Sequence, residues 1–261
     1  MFFRRRARRQ LPDDPFPLLE RHLGEWALLD ESSRQRLLGD IETLLATKSW
    51  EPARGFVLTD EMCTVIAAQG ALLVNGLDVE LLRHVRAIVV HPSTVVIRGP
   101  HAGPAVGLVD DSPMYLDGEA HDHQGPVLLS WNVVRRETSR PGSGRNVVIH
   151  ELAHKLDMLD GAIDGTPPIA GDVERARFAA ASRAVYEHLR AEPGRPDEVL
   201  RDYAASDPGE FFAVASEAFF DRPGALGDTH PDLYAVLRDY YGQDPGERRR
   251  RAGVGDDLRA L

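Results

Sequence analysis

RNVVIHELAHKLDMLDG, residues Arg145 to Gly161, is the stretch from which the rest of the chain is read. It is apolar, with no Gly or Pro between Val147 and Leu159, and it predicts a buried helix. Three residues do not suit such a helix: His150, Glu151 and His154. Burying them costs desolvation unless they are paired or bound to metal. Two histidines four apart stack on one helical face, so both imidazoles can reach one ion. Glu151 sits one position round, where its carboxylate can meet a water on that ion without binding the ion. The pattern is HExxH. Zn²⁺ takes neutral imidazole nitrogens and keeps a place for water when a third protein ligand completes the site. The metal acidifies that water and a nearby carboxylate takes its proton. The plain alternative is two structural histidines hydrogen-bonded in a core.

A third ligand must come from outside the motif. Asp157, Asp160, Asp164, Glu210 and Glu217 are the candidates. Asp157, three after His154, is better placed to accept the outer N–H of a ligand histidine. Asp160 and Asp164 lie in DGAIDG, which also reads as ordinary turn chemistry. YAASDPGEFFAVASEAFF says more. Asp207 is a natural N-cap with Pro208 at the first helical position. Glu210 then falls in the first turn of an apolar helix, and Glu217 lies seven on, near the same face. Either can be the ligand, with the other outside it. Asp207 to Glu210 is also the cap-to-third-residue spacing of a plain capping box. Tyr203, seven before Glu210, is core filler or a phenol able to stabilise an oxyanion.

Outward from this centre the chain reads as α+β in one domain: helices, a small mixed sheet, then helices. DPFPLLERHLGEWALLDESSRQRLLGDIETLLATKSWEP predicts two helices, the second capped by Asp30 or Ser32. TDEMCTVIAAQGALLVNG predicts a third, capped by Thr59 and deeply buried. HVRAIVVHP, STVVIRG and GPVLLSW are short, rich in Val and Ile, and predict strands. VERARFAAASRAVYEHLRA, DPGEFFAVASEAFFDRP and HPDLYAVLRDYYG predict helices. The expected organisation is a basic flexible arm over 1–15, a metallopeptidase-like domain over 16–243 and a flexible tail over 244–261.

Composition narrows the function classes. The chain has 261 residues, 43% hydrophobic, with a formal charge of −10, a sign that argues against general nucleic-acid binding. One cysteine, Cys63, excludes an intramolecular disulfide, a cysteine zinc site and a CxxC motif, and agrees with a reducing, cytoplasmic setting. Cys63 falls inside a helix with no partnered histidine, so it is not read as a nucleophile. The basic start lacks the apolar run of a signal peptide, and no run is long enough to span a membrane. Arg4–Arg9 and GERRRRAGVGDD read as solvated segments. His121 and His123 read as surface residues.

VIHELAHKLDMLDG, YAASDPGEFFAVASEAFF, DGEAHDHQGPVLLSW, LTDEMCTVIAAQGALLVNG and VVHP together resemble the Mlc titration factor A family of zinc peptidases. Around the active site that family is similar to the anthrax lethal factor catalytic domain, and it has the gluzincin design of two histidines plus a distal glutamate. The resemblance runs from about Leu18 to Tyr241. It implies a zincin-like fold, one Zn²⁺ per chain held by His150, His154 and Glu210, Glu151 as general base, and Tyr203 as hydrogen-bond donor to the transition state. It implies a peptide substrate, aminopeptidase action among the family's activities, and a Mlc-like repressor of glucose uptake as partner. It also implies that GPVLLSW is the edge strand on which a peptide pairs. A different class of function is a regulator-binding protein whose zinc site is latent or weakly active. The intact His150–Glu151–His154 set favours the enzyme. A purely structural zinc site fits less well, because such sites are rich in cysteine.

Overall fold

Every helix of the predicted set forms, and the side chains of Asp30, Thr59, Asn146 and Asp207 cap the starts of four of them. In this computed structural model, residues 9–53, 55–97, 101–102, 109–110, 114–116, 118–119, 125–191 and 197–258 are described. The helices α1 (Phe16–His22) and α2 (Glu31–Thr47) come first. The Asp30 carboxylate accepts from the Ser33 N–H at 2.7 Å and starts α2, so Asp30 rather than Ser32 is the cap. β1 (Ser49–Pro52) follows where the sequence predicted no strand. Four residues are too few to show a period of two, and Trp50 hides its role by donating its indole N–H back to Leu45 O at 3.3 Å. α3 (Asp60–Val74), capped by Thr59, is buried continuously from Cys63 to Val74.

The strand region comprises β2 (Ala87–His91), β3 (Val95–Ile97), β4 (His101–Ala102), β5 (Val109–Asp110), β6 (Met114–Leu116), β7 (Gly118–Glu119) and β8 (Val127–Ser130). The main sheet has the order β1-β2-β8-β7, with β7 alone antiparallel. It is therefore small and mixed, as expected. β3 pairs with β6, and β4 with β5. One expectation fails here. GPVLLSW forms β8, which lies between β2 and β7 and is not an edge. Its backbone pairs on both sides, so a peptide cannot add to it. His121 and His123 lie outside the described residues.

After the sheet come α4 (Trp131–Thr138), α5 (Val147–Asp157), α6 (Asp172–Ala191), α7 (Pro208–Asp221), α8 (Pro223–Thr229), α9 (Pro231–Tyr241) and α10 (Pro245–Ala252). α3, α5 and α7 form the centre, and every residue of α5 is buried. α3 approaches α5 closely at Gly70, where a Cβ would lie 2.9 Å from Leu152 Cδ1. The rings of Phe212, Phe219 and Phe220 from α7 and of Tyr241 from α9 meet at centroid distances of 5.0–6.4 Å. Each such side chain contributes about 1.5–3 kcal/mol by leaving water.

The ends depart from the expected organisation. Residues 1–8 lie outside the described ones, but Arg9 is docked: it donates to Asp60 Oδ1 at 2.6 Å and to Leu58 O at 2.8 Å. The segment 244–261, expected to be a flexible tail, contains α10, and Leu258 is buried. Asp244 caps α10 through the Glu247 N–H at 2.8 Å. Arg249 is buried and meets Glu25 Oε1 at 2.8 Å, with the Phe220 and Asp221 carbonyls accepting its other N–H groups. Asp256 also accepts from Nη1, so each nitrogen of the planar guanidinium finds an acceptor. Among the described residues, no helix is long and apolar enough to cross a membrane.

Candidate metal centre

Asn146 starts α5 by accepting from the Ile149 N–H at 3.2 Å. Two carboxylates also sit at this helix start: Glu217 takes the Asn146 N–H at 2.7 Å and Glu137 the Val147 N–H at 2.8 Å. Negative charge there complements the helix dipole and fixes the helix end. One turn further on, His150 and His154 point the same way, with their Nε2 atoms 3.3 Å apart. α7 begins opposite them. Asp207 accepts from the Glu210 N–H at 2.9 Å and so caps α7 with Pro208 at its first position. The Glu210 side chain does not complete the capping box. It turns to the histidines, placing Oε2 3.1 Å from His150 Nε2 and 3.5 Å from His154 Nε2.

The donor set fits a metal ion. Two ligand atoms about 2.0–2.1 Å from a zinc ion, at a tetrahedral angle, lie about 3.3 Å apart. The three observed separations are 3.1, 3.3 and 3.5 Å. Glu210 Oε2 is buried and receives no hydrogen bond. His150, His154 and Glu210 form a group able to hold a metal ion among the described residues. The site also asks for positive charge. Burial opposes a proton on His150, but Glu217 and Glu210 outweigh it and raise the imidazole to about 10. Glu210 is held well below the usual carboxylate range: burial opposes this, and the two imidazoles facing it, His150 and His154, outweigh it. A divalent cation meets the same demand.

Glu151 is buried beside this group, and burial pushes its carboxyl up to about 7. Glu210 and Glu217 add to that shift, while His150 and Lys155 oppose it. Glu217 occupies a different place from Glu210. Its Oε1 accepts the His150 Nδ1–H at 2.7 Å, so it meets the nitrogen that faces away from Glu210. Asp157, which the sequence offered for that outer role, does not take it. Its Oδ2 accepts the Gly165 N–H at 3.0 Å, and among the described residues neither its Oδ1 nor His154 Nδ1 has a hydrogen-bond partner. Asp160 and Asp164 serve as turn residues, accepting from the Ala162 and Thr166 N–H groups at 3.0 Å.

Tyr203 lies in a 3-10 turn, Asp202–Ala205, with its ring centroid 6.2 Å from that of His150. It is 50% exposed, so it is not core filler. Partial burial first and the Glu210 carboxylate second push its phenol above the ordinary value. Arg201, from the same segment, was not singled out in the sequence. It pairs with Glu217 through both terminal nitrogens, at 2.5 and 3.1 Å. Nothing periodic marks it; only the fold brings residue 201 to residue 217. Cys63 is buried in α3 and its thiol is pushed up to about 12 by burial, which agrees with an inert role.

Residues 2–242 match the family described as Glucose-regulated metallo-peptidase M90. The chain belongs to this family. It is similar to the Mlc titration factor A of Serratia proteamaculans, 38% identical over 211 residues that cover 79% of this chain and 78% of the relative. The Mlc titration factor A of Yersinia enterocolitica is 36% identical over 218 residues, covering 80% and 78%. An uncharacterized protein of Synechocystis sp. is 33% identical over 230 residues, covering 88% and 83%. The family is one of metallopeptidases, and among the described residues of this member His150, His154 and Glu210 form a group that could hold a metal ion.

Proposed function

We propose that this chain is a zinc-dependent peptidase in which His150, His154 and Glu210 hold one Zn²⁺ and Glu151 moves the proton. The observation that carries the proposal is the meeting of two imidazole nitrogens and one carboxylate oxygen within 3.1–3.5 Å beside a buried, non-ligating carboxylate. Bound zinc supplies Lewis-acid polarisation of a carbonyl and an acidified water. The chain supplies the rest. Glu151 accepts a proton from the attacking water and returns it to the leaving amine. Tyr203 donates its phenolic hydrogen to the oxyanion, and its exposure leaves it open to substrate. Glu217 fixes the ring of His150, which leaves Nε2 free for the metal.

The test is Glu151→Gln beside wild type, with zinc content and peptide hydrolysis read on the same samples. The variant is expected to keep one zinc per chain and lose roughly 10²–10⁴-fold in kcat. Equal turnover in both proteins would sink the mechanism. Aminopeptidase action and contact with a Mlc-like repressor of glucose uptake rest on the resemblance, to which the relatives' names add Mlc alone, and a cytoplasmic setting rests on the single cysteine. Those names also favour a second reading, a regulator-binding protein with a latent zinc site. Stoichiometric zinc without turnover, and repressor binding that survives metal removal, would favour that reading.

A further inference from the structure

The geometry points to Arg201 as the positioning residue that locks His150 and Tyr203 into one unit. Glu217 is 1% exposed, and four hydrogen bonds reach its two oxygens. Oε1 accepts from His150 Nδ1 at 2.7 Å and from Arg201 Nη2 at 2.5 Å. Oε2 accepts from the Asn146 N–H at 2.7 Å and from Arg201 Nη1 at 3.1 Å. A carboxylate has about four acceptor sites, so none is left over. Glu217 can only accept here, and His150 must therefore carry its hydrogen on Nδ1 and present Nε2 inward. Arg201 supplies two of the four bonds and the countercharge. Without it, a buried anion would keep only the histidine and one backbone N–H.

The same guanidinium lies 5.9 Å from the centroid of the Tyr203 ring, two residues along the chain. A planar cation over an aromatic face restrains both partners. One side chain thus sets the orientation of a candidate metal ligand from α5 and of the phenol beside it. The fork matters as well as the charge, because a lysine ammonium cannot make two parallel bonds to one carboxylate.

Arg201's relation to zinc and turnover rests on the peptidase reading, but its hold on His150 does not. The decisive measurement is therefore the imidazole Nδ1–H resonance of His150 in ¹⁵N-labelled full-length protein, recorded with and without zinc. A protected resonance is expected in wild type in both states, kept in Tyr203→Phe, and lost to exchange in Arg201→Met. An unchanged resonance in Arg201→Met would overturn the assignment. Arg201→Lys keeps the charge and guards against a folding failure of the methionine variant. It is expected to leave the resonance exchange-broadened and to weaken zinc binding about 10–100-fold by chelator competition. Lysine with wild-type protection and affinity would overturn the role of the fork. In peptide hydrolysis, Tyr203→Phe should lower kcat less in an Arg201→Met background than in wild type. Equal losses would overturn the link to Tyr203. A protected resonance that behaves as expected in a chain that hydrolyses no peptide would leave Arg201 assigned and remove the peptidase reading.

Discussion

Glu210 and Glu217 are the same residue type, seven positions apart on α7, and the structure gives them different surroundings. Glu210 Oε2 receives no hydrogen bond and faces two imidazoles, whereas Glu217 is saturated by donors. Glu210→Ala is expected to lose stoichiometric zinc. Glu217→Ala should still take up zinc, about 10–100-fold more weakly, because it only orients His150. Metal analysis of both variants separates the two roles, and loss of zinc in the second alone would reverse them. The residues were legible from spacing, but their roles were not. Helical periodicity places Glu210 and Glu217 near one face, and only the position of α5 across from α7 decides which one meets Nε2. Arg201 was not legible at all, since a 3-10 turn brings it there. A residue away from the site gives a pH prediction. Burial raises Asp40 from 3.8 to about 6, with Asp78 adding and Arg36 opposing. The folded chain thus binds this proton more tightly than the unfolded one. Asp40 costs no stability below about pH 3.8, costs progressively more from there to about 6, and its full cost stands above that. Asp40→Asn should stabilise by about 1 kcal/mol at pH 8 and by little at pH 4, read from denaturant midpoints, the figure being discounted for solvent screening.

At the scale of elements, one tetrapeptide makes two different things. Asp-Pro-Gly-Glu opens both α7, at 207–210, and α10, at 244–247. In both, the aspartate caps through the N–H of the glutamate, at 2.9 and 2.8 Å. At α10 the glutamate then pairs along its own helix with Arg250 and Arg251, each at 2.7 Å. At α7 it reaches across to α5. Capping chemistry was therefore legible at α7, as at Thr59 and Asp30, because it is local. The fate of Glu210 was not, because it depends on an element more than fifty residues earlier. α10 itself was missed because a run of four arginines reads as solvated, yet Arg249 faces Glu25 in the core. Arg249→Met leaves that carboxylate with Arg248 alone, at 3.1 Å, and should destabilise by about 3–5 kcal/mol in thermal or denaturant unfolding. A second element-scale prediction concerns the loop that braces the site. Gly165 has φ +75°, and a Cβ there would meet the Pro208 carbonyl oxygen at 2.2 Å. Gly165→Ala must displace the start of α7, two residues before Glu210. It should cost about 2 kcal/mol or more and weaken zinc binding with the ligands intact. Unchanged zinc affinity would show that α7 absorbs the strain without moving Glu210.

Across the whole molecule, the proposed metal ties together two helices that are already buried in one core. α3, α5 and α7 are apolar nearly throughout, and Phe212, Phe219 and Phe220 of α7 pack on Tyr241 at the end of α9. That distribution made the α+β class and the central helix legible, because long apolar runs fix both without knowledge of neighbours. It also sets what metal removal should do. In a small zinc-built domain the ion supplies the core and its loss unfolds the chain. Here the core stands by itself, so chelation should leave a folded protein of lower stability. Removing the ion leaves Glu210, His150 and His154 to satisfy one another at 3.1–3.5 Å with at most a shared proton between them. A ligand present at a thousandfold its Kd stabilises by about 4 kcal/mol. For a chain of this size that corresponds to a fall in Tm of about 8–16 °C on chelation. Far-ultraviolet circular dichroism should show the helices retained at 25 °C, and re-addition of zinc should restore the original Tm. Glu210→Ala should melt like the chelated wild type and respond little to added zinc. A wild-type Tm indifferent to both chelator and zinc would mean that α5 and α7 meet without an ion between them, and the two histidines would return to being core residues that share a proton with Glu210.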